Sequence, residues 1–494
     1  MTNTLQAVAT AFRESLPPRG EFSVFDLQGL DRTGIPVVQA NMLLSDEPAT
    51  TGYGYGFTEI ESEVGAFGEL CEEVHCGNWI AANPGTTASF NEMLRRHGER
   101  GVVDPLTLCL SAGSDYTPDL PLVWIEGRRW PSEEPVMVPR EWVAAYPYQL
   151  GKEPARLITP ITNGLGAGLD LYHAIGHGVM EALQRDGNLI SYRALDQGVV
   201  VEFDEELQPD TQALLDKLKG LGIAVTVKLA CTDFGFTNLY VVGDDRGTPT
   251  APVQITACGE ASHPDKHRAL RKALLEFCGS RARKAGTHGP IEDCRRVMPA
   301  EYVDRQIRNA MIEEEEDRAL EAMTEWVEQD AAELRRRLSG TVFAERSRVP
   351  FSSLPHASPE AMADPVARLN LLSERLAADG LEILYVDLSP AEGPVKVARA
   401  IVPGLETETM SYHRVGWRGV RRLRARQDPL ILDTRREGAK RVLLRPEDEA
   451  RAGGPAWFDA ALADRIVGDL YPMYRESGPF SAQLLRQRRQ GVAA

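Results

Sequence analysis

The sequence predicts a mixed α+β fold in which glycine-rich segments lead into helices. Short apolar runs bounded by turn residues, which are typical of strands, recur along the chain. Between them, longer segments repeat apolar residues every three or four positions, which is typical of amphipathic helices. Hydrophobic residues make up 43% and charged residues 26% of the 494 residues. This composition excludes extensive disorder, and the length is enough for about two to four domains.

The charge balance excludes two classes of partner. Lys and Arg number 55 against 72 Asp and Glu, so the formal net charge is −17. We therefore expect no nucleic-acid partner and no membrane partner. No apolar run approaches the ~20 residues that span a bilayer, and no basic residue precedes Arg13, so no signal peptide is predicted. The seven cysteines, an odd number in a large chain, favour reduced thiols and a cytoplasmic location.

The first part of the chain alternates strand and helix signals. Residues 20–43 predict a strand, a turn at 31–34 and a second strand. Residues 52–56, which contain three glycines, are interpreted as a glycine-rich loop. A helix is predicted behind this loop, because apolar residues follow at spacings of 4, 3, 4 and 3: Ile60, Val64, Phe67, Cys71 and Val74.

Two further glycine-to-helix units follow. Residues 163–168 predict a second glycine-rich loop, and Asp170 is the expected N-cap of the next helix. The core face of this helix is marked by Ile175, Val179 and Leu183. Residues 262–265 begin a third helix, which comes after Gly259 and runs to Arg281.

Residues 301–338 predict a long charged helix or a helical pair. Its apolar seam consists of Leu320, Met323, Val327, Leu334 and Leu338. The acidic run at 313–317 is interpreted as a solvated face, so we expect the segment to lie at the periphery. A loop at 341–365, a helix at 366–378 and a strand at 381–388 come next.

The polar faces of the first two helices predict a metal and phosphate site. Glu69 and Glu72 are three residues apart, so their carboxylates project from neighbouring points of one face. The second helix carries a polar row that repeats every four residues: His173, His177 and Glu181. Carboxylates beneath glycine loops can hold Mg²⁺ and, through it, a polyphosphate, because Mg²⁺ prefers oxygen ligands. Arg281 is expected to neutralise a phosphate.

Other interpretations compete with this one. The histidine row can bind a transition metal, although its Glu follows the second His, unlike the H-E-x-x-H motif. Cys71, His75 and Cys76 form a loose Cys/His cluster, interpreted as buried helix residues because no second pair completes it. Charged helix faces are also often simply solvated.

Five blocks of sequence occur in a defined order. They are LDRTGIPVV at 30–38, GYG at 54–56 with G-x3-E-x2-EE at 65–73, NG-x-GAG at 163–168 with E-x2-QRD at 181–186, E-x4-R at 276–281 and VPGLE at 402–406. Together they resemble the YcaO family over roughly residues 22–425. The resemblance implies an α+β, YcaO-like domain that binds ATP and Mg²⁺ without a standard nucleotide fold. It divides the chain into a core at 1–300 and 346–425, a helical insertion at 301–345 and a C-terminal extension at 426–494.

The resemblance also implies the site residues. The Mg²⁺ ligands implied are Glu69, Glu72, Glu181 and Gln184, the last standing where the family has a fourth Glu. Arginines at the nucleotide are Arg185 and Arg281, and His173 and His177 fall where many members carry polar side chains near it. No catalytic residue is assigned. We expect Glu69, Glu72, Glu181 and Arg281 to converge on one pocket, with raised carboxyl pKa values because like charges repel.

The implied activity is activation of a backbone amide in a ribosomally made peptide or a protein. A nucleophile adds to the carbonyl, the oxyanion attacks the γ-phosphate of ATP, and loss of phosphate leaves an azoline, a thioamide or an amidine. The expected partners are the peptide substrate, a TfuA-like or leader-binding protein, and a second copy in a homodimer. Without a proline-rich C-terminus, thioamide or amidine formation is favoured over azoline formation.

Several positions depart from the family pattern. Gly65, Glu73, Gln184 and Gly279 replace Ser, Arg, Glu and Gln respectively. The family's N-terminal phosphate contact is not found either. These changes support a second hypothesis, in which the chain is a catalytically reduced scaffold or substrate-binding subunit.

Overall fold

A computed structural model describes residues 2–18, 20–43, 50–247, 249 and 251–491. The helices are α1 (Thr2–Ser15), α2 (Glu59–Ala82), α3 (Phe90–His97), α4 (Leu171–Asn188), α5 (Pro209–Gly220), α6 (Lys266–His288), α7 (Ile291–Val297), α8 (Ala300–Arg308), α9 (Asp317–Glu328), α10 (Ala331–Leu338), α11 (Pro365–Ala378), α12 (Thr409–Tyr412), α13 (Trp417–Ala425), α14 (Pro446–Ala452), α15 (Ala460–Val467) and α16 (Ser481–Arg489).

The strands are β1 (Glu21–Asp26), β2 (Val37–Leu43), β3 (Thr50–Tyr55), β4 (Thr86–Ser89), β5 (Pro121–Trp130), β6 (Pro135–Pro139), β7 (Leu165–Gly168), β8 (Val199–Glu202), β9 (Ile223–Cys231), β10 (Thr237–Asp245), β11 (Cys258–His263), β12 (Ser347–Pro350), β13 (Ile383–Asp387), β14 (Lys396–Ile401), β15 (Ile431–Leu432), β16 (Lys440–Arg441) and β17 (Trp457–Phe458). The predicted mixture of helices and strands is confirmed.

The strands form separate sheets rather than one continuous layer. Their orders are β1-β2-β3, β11-β10-β9-β8-β12, β4-β5-β13-β14-β7 with β6 on β5, and β15-β17-β16. The pairings are antiparallel, except that β12 runs parallel to β8. In the first three sheets, one end strand (β3, β11 or β7) contains at least one glycine.

The two predicted glycine loops are in fact edge strands, which corrects the sequence interpretation. Gly52 and Gly54 lie in β3, and Gly166 lies in β7. A Cβ at Gly54 would stand 1.8 Å from the Ser62 carbonyl oxygen of α2, and one at Gly166 would stand 2.1 Å from the Ala174 oxygen of α4. The glycines therefore let each helix backbone rest directly on its strand. Gly259 does the same for β11 and α6, because its Cβ would lie 2.0 Å from the Ala273 oxygen.

Three strand–helix units close into a ring. Helix α2 packs on β3 and also on β7, α4 packs on β7 and on β11, and α6 packs on β11 and on β3. Helix α4 has the N-cap that the sequence predicts, because the Asp170 side chain accepts a hydrogen bond from the His173 backbone N–H. Ile175, Val179 and Leu183 are buried, as expected for the core face of α4.

A substitution at the closest contact of the ring has a large expected effect on stability. Gly54→Ala places a methyl group inside the α2 backbone, so we expect a loss of about 3 kcal/mol or more in the free energy of unfolding. Urea unfolding measures this loss. The matched control is Gly220→Ala at the end of α5, where no atom lies within 4 Å of the added Cβ. Equal stability of the two variants would contradict the packing argument.

The acidic segment 301–338 differs from the predicted long helix or helical pair. It consists of α8, a short turn of 3₁₀-helix at Ile312–Glu314, α9 and α10. The predicted seam is nevertheless buried: Leu320, Met323, Leu334 and Leu338 share a core with Phe480 and Leu484 of the C-terminal region. The acidic run is partly paired with that region, because Glu315 accepts a hydrogen bond from the Gly478 N–H at 2.9 Å.

All seven cysteines are free. In the described part of the chain, no helix is both long enough and apolar enough to cross a bilayer.

Candidate functional site

A cavity of about 640 Å³ opens between α1, α2, α4 and α6. Seven of the eight predicted site residues line it: Glu69, Glu72, His173, His177, Glu181, Gln184 and Arg185. The first two come from α2 and the other five from α4. Residues more than about 100 positions apart in sequence thus meet because the ring brings the two helices together.

Arg281 does not line this cavity, which corrects the sequence prediction. Its side chain is fully buried and is held by Asp31 and Asp245, each at 2.8 Å from Nη2. The reason is helix geometry. At 100° per residue, a position five residues after Glu276 lies about 140° around α6 from it, so the two side chains point to different sides. Arg281 thus forms buried ion pairs away from this cavity.

The cavity carboxylates accept hydrogen bonds from the edge strands. The Tyr53 N–H of β3 donates to Glu69 Oε2 at 2.6 Å, and the Gly164 N–H before β7 donates to Glu181 Oε2 at 2.9 Å. Glu72 accepts from the Ala167 backbone of β7. These bonds satisfy edge N–H groups that would otherwise lack partners. They also orient the carboxylates toward a shared space.

Burial makes the carboxyl groups hard to ionise in the absence of a cation. Burial, followed by weaker charge effects that include repulsion from Glu181, raises the pKa of Glu69 to about 7. The pKa of Glu72 is raised well above its ordinary value, again mainly by burial and then by Glu181 and Glu69. The raised values agree with the expectation, although burial outweighs the repulsion that motivated it.

The donor set fits Mg²⁺ better than a transition metal. The oxygen ligands offered are carboxylates and the Gln184 amide, which suit a hard cation. Within the described ranges, no three or more His, Cys, Asp or Glu side chains form a group that could hold a metal ion. Mg²⁺ usually retains several waters and binds phosphate oxygens, so a looser set of carboxylates suits Mg²⁺ bound to a phosphate.

The two histidines form a neutral polar face of the cavity. Burial, and then the charge of Lys272, lowers the pKa of His177 to about 3. Burial and the neighbouring Arg368 also lower the pKa of His173, whose Nδ1 lies 3.3 Å from an Arg368 Nη2. Neutral imidazoles can donate and accept hydrogen bonds but do not add charge.

Sequence reasoning did not assign Lys272 and Glu276 to the site, although both line the cavity. They are four residues apart on α6 and therefore on one face, and this spacing is the signal that could have found them. The Tyr55 hydroxyl donates to Glu276 Oε2 at 3.2 Å. Burial raises the pKa of Glu276 to about 7.

Two departures from the family pattern have a packing reason. A Cβ at Gly279 would lie 2.9 Å from the ring of Tyr55, so glycine there admits the tyrosine that bonds to Glu276. A Cβ at Gly65 would lie 3.0 Å from the Cα of Gly54, so glycine there allows α2 to approach β3 closely. Close packing of the strand–helix ring therefore explains the glycine at both positions.

One side of the cavity is apolar. It is formed by Leu5, Val8 and Phe12 of α1 together with Val64, Leu169 and Pro365. A ligand with a flat apolar part and a charged part therefore finds a complementary surface for each.

A second cavity, of about 450 Å³, adjoins the first. The residues that line both are Tyr53, Tyr55, Glu69, Arg185 and Glu276. The second cavity adds charged side chains from several elements: Glu73, Arg193, Glu260, Arg283, Lys284 and Glu476. Glu73, which departs from the family arginine, accepts a hydrogen bond from the Tyr146 hydroxyl here. Its burial raises its pKa to about 8.

The fold and the first cavity define a class of protein that binds a metal-complexed phosphate compound outside the standard nucleotide folds. A family model described as YcaO cyclodehydratase, ATP- and Mg²⁺-binding, matches residues 53–406. The chain belongs to the YcaO family. Its cofactors are accordingly ATP and Mg²⁺, and the members of the family are ATP-dependent cyclodehydratases.

Several proteins are similar to this chain. An uncharacterized protein of Methanothermobacter thermautotrophicus is 27% identical over 412 residues, which cover 83% of this chain and 95% of the relative. The structure of YcaO from Methanopyrus kandleri, bound with AMPPCP and Mg²⁺, aligns with a TM-score of 0.57 and 21% identity over 84% of this chain and 93% of that one.

A heterocyclase in complex with substrate and cofactor also has this fold. It aligns with a TM-score of 0.61 and 15% identity over 81% of this chain and 52% of its own. The chain therefore spans about half of that enzyme.

Proposed function

We propose that this chain uses Mg²⁺ and ATP to activate a backbone amide of a peptide or protein substrate. The observation that carries the proposal is the pair of adjoining cavities, which share Tyr55, Glu69, Arg185 and Glu276. The first cavity suits the nucleotide and its metal. The second suits the amide, which must lie within reach of the terminal phosphate for the two to react.

Each side of the first cavity has a proposed task. Glu69, Glu72, Glu181 and Gln184 would hold Mg²⁺, and Arg185 and Lys272 would neutralise phosphate charge. His173 and His177 would donate hydrogen bonds, and the apolar side formed by α1 would contact the base. When bound, Mg²⁺ and ATP supply an electrophilic phosphorus that converts the amide oxygen into a good leaving group.

The remaining work of the protein is positioning and exclusion of water. Tyr55 bonds to Glu276 across the boundary of the cavities and fixes the carboxyl group there. Arg185 lies in both cavities and is held 3.4 Å from Glu181 Oε1, so it can face charge that develops between amide and phosphate. These preformed groups need little reorganisation when the reactants bind.

The product and the partner are further parts of the proposal. We favour a thioamide or an amidine over an azoline in a ribosomally made peptide, with a TfuA-like or leader-binding protein presenting the substrate. A homodimer is also proposed. The choice of a thioamide or an amidine is supported by the C-terminal region: the described residues beyond Glu476, which include α16, do not line either cavity.

A scaffold or substrate-binding role is the second candidate. Glu73 turns toward Tyr146 in the second cavity, and Gln184 Nε2 lies 3.5 Å from Glu260 Oε2. One carboxylate and one arginine of the family pattern are thus absent from the nucleotide side, which would weaken binding of Mg²⁺ and ATP.

Calorimetric titration with Mg²⁺ and ATP distinguishes the two candidates. We expect binding in the micromolar to millimolar range, followed by slow turnover that a peptide substrate accelerates. The matched titration without Mg²⁺ should give weaker binding, because the metal bridges carboxylates and phosphates. Absence of binding at millimolar nucleotide would reject the enzyme and leave the scaffold.

Deletion of residues 491–494 tests the expectation about the C-terminus. Residues 492–494 lie outside the described part of the chain. Helix α16 ends at Arg489, where an ion pair of 2.5 Å to Glu321 anchors it away from both cavities. We therefore expect unchanged ATP turnover, measured as phosphate release. A large loss of turnover with intact circular dichroism would restore the azoline interpretation.

A further inference from the structure

The second cavity contains guanidinium groups whose carboxylate neighbours are unusually distant. Arg193 Nη2 lies 3.6 Å from Glu260 Oε1, and Arg185 Nη1 lies 3.7 Å from Glu260 Oε2. Arg283 Nη2 lies 3.5 Å from Glu476 Oε1. Hydrogen bonds between charged partners are normally about 2.7–2.9 Å long. Among the described residues, the Nε atoms of Arg185 and Arg193 also have no acceptor.

Two buried arginines elsewhere in the chain make shorter guanidinium contacts. Arg281 Nη2 meets two carboxylates at 2.8 Å, and Arg414 donates to the carbonyl oxygens of Cys109 and Leu108 at 2.9 and 3.0 Å. The contacts of these two arginines are therefore shorter than those in the second cavity, although Nη1 of Arg281 also has no acceptor among the described residues. The long contacts in the second cavity leave donors available to another acceptor.

The backbone and two aromatic rings hold Arg193 in place. Its φ is +55°, a left-handed conformation that non-glycine residues rarely adopt. Its guanidinium lies 4.8 Å from the ring centroid of Tyr192 and 4.9 Å from that of Tyr474. A strained backbone and a cation placed against two rings fix the group before any ligand arrives, as at preorganised binding sites.

The cations outnumber their immediate counter-ions. Glu260 is shared by Arg185 and Arg193, and the Glu476 carboxylate is shared by Arg283 and Lys284. Arg185 has a second carboxylate, Glu181, at 3.4 Å, whereas Arg283 and Lys284 have only Glu476 between them. Glu69, Glu73 and Glu276 also line the cavity, so an anion is expected at the guanidinium groups rather than throughout the space.

We propose that the second cavity contains a phosphate-binding site built around Arg193 and Arg283. Its ligand is a tetrahedral phosphate, free or on an activated amide, since planar guanidinium groups offer paired donors to such oxygens. The identity of the ligand rests on the proposed function, because amide activation ends with the terminal phosphate of ATP as inorganic phosphate. Arg185, which lines both cavities, connects the two sites.

Titration of inorganic phosphate into the full chain, without nucleotide or peptide, tests the site. We expect Arg193→Ala and Arg283→Ala each to weaken phosphate binding about tenfold or more. Arg348→Ala is the matched control, because Arg348 is exposed on β12 and pairs at the surface with Glu202. Acetate should compete poorly if the site is built for a tetrahedral anion rather than a carboxylate.

Absence of phosphate binding to the unmodified chain would overturn the proposal, as would equal weakening by Arg348→Ala or equal binding of acetate. If Arg193→Ala fails to fold, Arg283→Ala decides, since the Arg283 side chain is 39% exposed. The two proposals fail separately. Phosphate binding without any peptide-stimulated turnover rejects amide activation alone, whereas turnover without phosphate binding rejects this site alone.

Discussion

Glu181→Gln is expected to lower ATP turnover by about 100-fold or more while leaving the fold intact. The substitution removes a charge from the proposed metal site but keeps an oxygen that can accept the Gly164 N–H bond, which is 2.9 Å long with the carboxylate. Phosphate release in the presence of Mg²⁺ and ATP measures the loss. Circular dichroism and thermal unfolding show whether the fold is retained.

The matched control is Glu374→Gln, a charge-equivalent change at an exposed position of α11. Its turnover should equal that of the unmodified chain. Normal turnover in Glu181→Gln would show that the negative charge of Glu181 is not needed to hold the metal.

Binding of Mg²⁺ with a non-hydrolysable ATP analogue is expected to weaken as the pH falls from 8 to 6. In the free protein, burial raises the pKa of Glu69 to about 7 and that of Glu72 well above its ordinary value. A metal ligand must be ionised, so each proton retained at lower pH has to be displaced by the cation. We expect roughly a tenfold loss of affinity per pH unit for each displaced proton.

Calorimetry in buffers of different ionisation enthalpy counts the protons released. The count should be greater than zero near pH 7 after correction for protonation of the nucleotide itself. Glu69→Gln should release fewer protons, because one titrating group is gone. Affinity that stays constant or rises as the pH falls would contradict the assignment of these carboxyl groups.

The sequence was sufficient to locate the carboxylates, because their positions depend on local helix spacing. Glu69 and Glu72 lie three residues apart, and Glu181 ends a four-residue repeat, so once α2 and α4 form, each set occupies one face. What brings the two faces together is the packing of α2 on β7, which no local pattern records.

Two errors in the sequence analysis each have a physical origin. The glycines at 52–56 and 163–168 resemble loops because glycine disfavours strands, yet here they allow helices to contact strand backbones. Arg281 was placed at the site by motif position, whereas its phase on α6 directs it toward Asp31 and Asp245. Lys272 was overlooked, although it lies four residues before Glu276 and therefore on the same face of α6.

The ring of three strand–helix units constrains how the protein can be synthesised. Helix α6 completes the ring by packing on β3, and about 200 residues must leave the ribosome between these two elements. Until then, α2 and α4 expose the surfaces that α6 and β11 will cover, and such surfaces aggregate readily. Nascent chains that stop before α6 should therefore bind no nucleotide and depend on chaperones. ATP can bind, and so stabilise the fold, only after about the first three hundred residues have been synthesised.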